Sequence, residues 1–346
     1  MDPFVSLLMT LCNLNGTPGW EDDVRDTIRE RIEAKAQEVK TDALGNLLVY
    51  CRGRRRAKRQ VMLCAHMDEI GLIVKAIQED GTLSFAGAGG VDPRVLPGKR
   101  VTVGPKGYAV NGVIMFPHSS LLSKDEKSAG PKTASLRIDI GCASKAEAEA
   151  HVTPGAPVFF DTPAELFGDG LLRAKAIDDR LGCAVMCQLI EEGPPTDAWF
   201  AFTVQEEVGL RGATVAARAI QPAAALIVEG TTACDFPTLP AHKRVCTVGG
   251  GAVIPFMDRG SVADAGLFRR ITQLAETNAI PWQTKEYVSG GTDAGAVQTV
   301  VPGVETIGVA APVRYIHAPT SVVSLADCGH VLSLARLFLE SEAEQS

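Results

Sequence analysis

The chain has 346 residues, 46% hydrophobic and 22% charged, enough apolar material for one large core or two modest ones. A formal net charge of −7 argues against general affinity for nucleic acid or for an anionic membrane surface. No apolar run approaches the roughly 20 residues of a membrane span, Met1-Asp2-Pro3 does not open a signal peptide, and nine cysteines without a C-x-x-C pair fit a reducing cytoplasmic setting.

Residues 4–12 are an apolar-rich helical stretch, broken by Asn15-Gly16-Thr17-Pro18-Gly19. Residues 21–38 carry Val24, Ile28 and Ile32 on one stripe and predict a second helix. Residues 39–42 and 45–50 read as strand, turn and strand. The basic run at 52–59 reads as a solvated hairpin tip between two apolar strands rather than a nucleic-acid or targeting patch. Val61-Met62-Leu63-Cys64-Ala65 is a continuous apolar run ending in His66, the mark of a strand buried on both faces of an α/β sheet.

From about residue 71 to 167 Gly and Pro recur. Short strand candidates follow one another at 72–77, 100–103, 109–115, 135–140 and 158–160, with only 144–151 helical, so this block predicts a small β domain. After Leu171 the α/β alternation resumes: helices at 179–192, 212–220, 264–278 and 325–343, and strands at 198–204, 223–228 and 303–308. The expected fold class is α/β, a mixed sheet flanked by helices and interrupted by a small inserted β-barrel-like domain. The catalytic part would be 1–70 with 166–346, and the insertion 71–165.

The polar residues at strand ends carry the chemistry. His66-Met67-Asp68-Glu69 closes a buried strand, where ligands of α/β sheets collect. A carboxylate two positions after a histidine can fix which ring nitrogen faces a metal. Ala176-Ile177-Asp178-Asp179-Arg180 precedes a helix; Asp suits an N-cap, but adjacent carboxylates also need a compensating cation, and one carboxylate can bridge two. Gln205-Glu206-Glu207 follows another strand, so that one acid can bind a metal while its neighbour reaches a bound water as general base. Leu226-Ile227-Val228-Glu229 is a further strand ending in an acid, and Arg314-Tyr315-Ile316-His317 places a histidine in a late loop. Gly290-Gly291-Thr292-Asp293 lets backbone approach a ligand but lacks phosphate-loop spacing. Mixed His and carboxylate donors suit zinc, cobalt or manganese better than calcium. His118, His151, His242 and His330 lack acidic strand-end context and read as structural or surface residues, while Cys64, Cys183, Cys187 and Cys246 read as small buried hydrophobes.

In order and spacing, Cys64-Ala65-His66-Met67-Asp68-Glu69-Ile70-Gly71, Ala176-Ile177-Asp178-Asp179-Arg180-Leu181-Gly182, Gln205-Glu206-Glu207-Val208-Gly209, Gly291-Thr292-Asp293 and Arg314-Tyr315-Ile316-His317 resemble the M42 family of metallo-aminopeptidases, over nearly the whole chain. The resemblance implies a metal-dependent aminopeptidase that removes N-terminal residues from peptides with a free N-terminus. It implies two divalent ions per subunit, zinc first, with cobalt or manganese as alternatives. His66 would bind one ion, Asp178 would bridge both, and Glu207 and His317 would bind the second. Glu206 would be the general base on the bridging water, Asp68 would orient His66, and Asp179 would shape the site, across a cis peptide. Many members carry Asp where this chain has Glu229; Glu229 is carried over as the remaining ligand of the first ion, with Asp235 the weaker substitute.

The resemblance further implies assembly through the inserted β domain into a homo-oligomer, commonly a dodecamer; the net charge predicts no nucleic acid or membrane partner. Arg314 is a candidate for selecting acidic N-terminal residues. The rival functions are another two-metal amidohydrolase on the same scaffold, a deacylase or carboxypeptidase; a glycoside hydrolase, which would use its acids without catalytic metal; and a non-catalytic assembly or peptide-binding protein.

Overall fold

A computed structural model describes residues 1–344. The N-terminal part contains α1 (Pro3–Asn13), α2 (Asp22–Ile32), β1 (Glu38–Thr41), β2 (Leu47–Cys51) and β3 (Val61–His66). Asp2 caps α1 by accepting from the Phe4 N–H, and Pro3 occupies the first turn, where no N–H is needed. Six strands follow: β4 (Gly71–Ile77), β5 (Leu83–Ala88), β6 (Arg100–Val103), β7 (Val110–Met115), β8 (Arg137–Asp139) and β9 (Pro157–Phe160), with α3 (Lys124–Ala129) and α4 (Lys145–Glu149) between them. They close into a barrel in the order β4-β5-β8-β7-β6-β9, around its own core of Leu72, Leu83, Val101, Ile114, Ile138 and Val158.

The chain then returns to the first sheet with β10 (Glu165–Phe167), β11 (Leu171–Ala174), α5 (Ile177–Glu192), β12 (Ala198–Thr203), α6 (Arg211–Ile220) and β13 (Ala224–Thr232). It ends with β14 (Ala252–Val253), α7 (Ala265–Thr277), β15 (Trp282–Gln283), α8 (Asp293–Val297), β16 (Glu305–Arg314), β17 (Ser321–Ser324) and α9 (Leu325–Ser341). The sheet has eleven strands, with the main path β1-β2-β12-β3-β13-β16-β17-β11-β10. Its centre, β12-β3-β13-β16, is parallel, and the flanks are antiparallel. Alternate residues of β3 enter different cores: Leu63 and Ala65 join α1, α2, α5, α7 and α9, while Met62 and Cys64 join α6 and α8. Two covered faces explain the unbroken apolar run that announced this strand.

The insertion contains a helix, Lys124–Ala129, beyond the single one expected there. Strands β5, β10, β11 and β17 also escaped the sequence reading. The basic run is not a hairpin tip: β12 lies between β2 and β3, so residues 52–59 cross over a strand. The run is held by acids on the return, Arg56 by Asp197 and Arg59 by Glu305 and Glu342. No helix among the described residues is long and apolar enough to cross a membrane, and all nine cysteines are unpaired.

Candidate metal centre

The parallel strands bring their carboxyl ends to one level. β3 lies between β12 and β13, which follow it in sequence on opposite sides, so chain order reverses there and a crevice opens beyond the strand ends. In the β12–β3 ladder Thr203 faces His66. The β13–β3 register ends at Ile227 opposite Cys64, and continuing it two residues sets Glu229 level with His66. Glu229 does not close its strand, contrary to the sequence reading, because β16 pairs with all nine residues of β13.

The remaining side chains come from tight turns. Of eight non-glycine residues with positive φ among the described residues, four lie within two residues of Asp178, Glu206 or His317, which line the crevice: Ala176, Gln205, Tyr315 and His317 itself. Such conformations cost about 1–3 kcal/mol each and gather where a side chain must be aimed. Ala176 precedes a break in α5 at Asp178 and Asp179, whose mutual peptide is cis. Gln205 turns the chain after β12, and Tyr315 and His317 shape the connection from β16 to β17.

Asp178 stands between two histidines. Its Oδ1 lies 3.4 Å from His66 Nε2 and its Oδ2 lies 3.5 Å from His317 Nε2. Glu229 Oε1 is 4.0 Å from His66 Nε2, and Glu207 Oε1 is 3.4 Å from His317 Nε2. Two donor groups result, His66 with Asp178 and Glu229, and His317 with Asp178 and Glu207. The separations exceed ordinary hydrogen bonds. They approach the edge, about 3.4 Å, of a tetrahedron whose donors each lie about 2.0–2.2 Å from a shared zinc-type ion. Asp178 Oδ1 is buried without a hydrogen-bond partner among the described residues, so this donor set fits a pair of cations sharing one carboxylate.

The supporting bonds run through Asp68 and Asp179. Asp68 accepts the backbone N–H of Glu206 and of Glu207, each at 3.0 Å, and so ties the β12 turn to β3. His66 Nδ1 is 3.1 Å from the Asp68 carbonyl oxygen and 3.5 Å from its carboxylate, so the backbone offers the nearer acceptor. An Nδ1–H donated there leaves Nε2 free for a cation. Asp179 is fully buried and accepts from the N–H of His66 and of Gly182. Below it, Arg180 donates to the carbonyls of Met67, Leu11 and Leu14, while Glu69 accepts from Lys175 and Gly16. Sequence reasoning quoted Glu69 and Arg180 within motifs but assigned them no task.

Electrostatics mark the same residues. Burial pushes Glu206 up to about 9 and Glu207 to about 7; Asp293, Glu207 and Asp178 add to the first, Asp178 to the second. Burial likewise drives Glu229 well above the carboxylate range. For His317 burial opposes the charge, but Asp178 and Glu207 win and raise it to about 9. His66 is raised well above its usual value in the same way, against its burial, by Asp178 and Asp68. Asp178, despite burial, is held below the usual range by the two imidazoles. These shifts mark a cluster of buried acids and imidazoles whose charges a shared cation would compensate.

The crevice is a cavity of about 260 Å³ lined by Asp178, Glu206, Glu229, Lys285, Thr292 and His317, among others. Glu206 belongs to neither donor group but shares this wall. Lys285, absent from the sequence reading, is 4% exposed, and its Nζ reaches the Ser289 carbonyl at 3.4 Å. Asp293 is buried at the start of α8 and accepts from Thr203 Oγ1 at 2.7 Å. Arg314 does not face the cavity as a free cation, as the sequence suggested: Asp235 holds it with two bonds of 2.7 Å. That pair also removes Asp235 as a substitute ligand. His118, His151, His242 and His330 lie outside both donor groups.

A family model described as M42 glutamyl aminopeptidase matches residues 45–334. The chain is 30% identical over 355 residues to the lysyl aminopeptidase of Pyrococcus furiosus, covering 96% of each. Among solved structures it is similar to an aminopeptidase of the archaeon Desulfurococcus kamchatkensis, with a TM-score of 0.92, 32% identity, and 98% of this chain and 95% of that one covered. It is also similar to the TET1 peptidase of Pyrococcus horikoshii, with a TM-score of 0.85, 30% identity, and 99% and 100% covered; that peptidase can assemble into a tetrahedron or a large octahedral shell. The chain belongs to the M42 family of aminopeptidases.

Proposed function

We propose that the protein is a two-metal aminopeptidase whose ion positions are held by His66, Asp178 and Glu229 on one side and by Asp178, Glu207 and His317 on the other. The observation that carries this reading is the pair of donor groups sharing Asp178, with the unassigned acid Glu206 on the same cavity wall. Bound there, divalent ions would polarise the scissile carbonyl and make a water nucleophilic near neutral pH. Glu206 takes the proton of the attacking water and returns it to the leaving amine. Burial raises its affinity for a proton, which suits holding the proton taken from water until the amine leaves. Asp68 keeps Glu206 and Glu207 in place through their backbone, and the carbonyl of Asp68 orients His66. The cavity acids meet the free amine of the substrate, which favours chain ends over internal bonds.

Lys285 gives the site a preference. Its ammonium is buried, meets the Ser289 carbonyl at 3.4 Å and forms no ion pair among the described residues, and a buried cation is costly without a charged partner. An Asp or Glu side chain on the first substrate residue supplies that partner. Residues 71–165 are proposed as the assembly domain and 1–70 with 166–346 as the catalytic one, with subunits assembling into a hollow homo-oligomer; the assemblies described for the Pyrococcus horikoshii peptidase support this.

The test is hydrolysis of aminoacyl-p-nitroanilides, short peptides and their N-acylated counterparts by metal-free protein, with zinc, cobalt or manganese added back. Metal-dependent release from free N-termini is expected. Hydrolysis of N-acylated substrates alone would establish the deacylase instead.

A further inference from the structure

We infer that the barrel is also a wall of the catalytic centre: its Gly89–Gly90 turn fixes the side chains of Glu207 and His317 and so controls whether that donor group can close on an ion. The turn follows the last residue of β5. A Cβ on Gly89 would sit 3.0 Å from Glu207 Oε2, 3.2 Å from Glu207 Cβ and 2.8 Å from Ile70 Cγ2. One on Gly90 would sit 3.1 Å from His317 Nδ1. Real side chains rarely come so near, so the turn leaves no room for a side chain between its backbone and either ligand. Of the other barrel glycines with positive φ, Gly98, Gly107, Gly141 and Gly155 have nothing within 4 Å of the same position, and Gly81, Gly104 and Gly130 meet only residues of the insertion. Where these do come close to a neighbour, as Gly81 to the Cys142 carbonyl, that neighbour belongs to the insertion itself, whereas this turn meets Glu207 and His317 on loops of the other sheet.

The turn is rigid on its barrel side. The Val91 N–H donates to the Gly89 carbonyl at 3.0 Å, and Val91 and Ile70 both pack with the barrel core. His66 and Glu229, in contrast, stand on central strands of the sheet. Motion of the barrel against the sheet is thus transmitted to Glu207 and His317, while His66 and Glu229 keep their places. A domain proposed for assembly thereby acquires a direct mechanical link to one of the two ion positions.

The inference rests on the two-metal reading, and the experiment separates the two. Full-length Gly90→Ala, Gly89→Ala and Gly87→Ala would be stripped of metal and equilibrated with cobalt(II), and bound metal per chain measured across free concentration. Gly90 is exposed with ordinary φ and Gly87 meets nothing nearer than 3.6 Å, so neither substitution burdens the backbone. Wild type and Gly87→Ala are expected to bind two ions. Gly90→Ala is expected to lose about 10–100-fold in affinity for one ion while keeping the other, with an unchanged metal-free melting temperature, and Gly89→Ala to lose more. Two ions bound by Gly90→Ala and Gly89→Ala with wild-type affinity would overturn the inference and leave the two-metal reading standing. Fewer than two ions in wild type would overturn that reading, and the inference with it.

Discussion

Arg180→Met removes the cation beneath the centre while nearly preserving side-chain length. Arg180 has no solvent exposure and donates at 2.8 Å to Met67 O, 2.5 Å to Leu11 O and 3.1 Å to Leu14 O, with Glu69 Oε1 at 3.4 Å. The substitution takes a donor from three carbonyls: Leu14 O keeps Lys175 Nζ at 2.7 Å and Leu11 O keeps the Leu14 N–H, while Met67 O loses its side-chain donor. Glu69 keeps Lys175 at 2.5 Å, so its charge is not orphaned. With no charge left uncompensated, the cost is that of lost charge-assisted hydrogen bonds, about 1.5–3 kcal/mol. With an unfolding entropy of about 2.1 cal/mol/K per residue, roughly 0.7 kcal/mol/K for a chain of this length, melting should fall by about 2–4 °C. Because Met67 separates His66 from Asp68, and Arg180 is two residues from Asp178, ion affinity should fall as well. Calorimetric melts and metal titrations of the same preparations measure both. A shift below about 1 °C with unchanged metal affinity would show that this network neither supports the fold nor aligns the ligands.

In metal-free protein, stability should decline between pH 6 and 9. His317, raised to about 9, contributes stability that is fully present below its unfolded value of 6.5 and lost as pH climbs through 9. Glu206 and Glu207 are raised too, from 4.5 to about 9 and about 7, and act in the same direction; melts across this range that stay level would contradict the assignment. Metal binding near pH 7 should release protons, because imidazole and carboxylate donors must deprotonate; calorimetric titrations whose heats ignore the buffer's ionisation enthalpy would refute this. Lys285→Met should lower kcat/KM for glutamyl and aspartyl substrates by about 1.5–3 kcal/mol, roughly 10–150-fold, and leave leucyl substrates nearly unchanged; an equal effect on both would remove Lys285 from substrate recognition.

The candidate metal centre is legible in the sequence wherever its residues sit at the end of a local pattern. The apolar run into His66 and the acids after β12 announce strand ends in the sequence itself, and the sheet places them together. What escaped depends on pairing between distant segments. Nothing near Arg52–Arg59 says that β12 enters between β2 and β3, so a crossover looked like a hairpin. Glu229 seemed terminal because the apolar run stops there, whereas the β16 ladder carries the strand on to Thr232. Arg314 seemed free until the fold brought Asp235 to it. Lys285 is a single lysine without periodic context, and the contacts of Gly89 and Gly90 exist only because the barrel leans on the sheet.

Glu206→Gln tests the central claim most directly, by metal analysis and aminoacyl hydrolysis on one preparation. Glutamine keeps shape and hydrogen bonding but cannot accept the proton of water. Both donor groups omit Glu206, so the variant should hold two ions per chain as wild type does, while kcat falls by about 10²–10⁴-fold. Full activity would contradict the general-base role, and loss of an ion would show that Glu206 is a ligand.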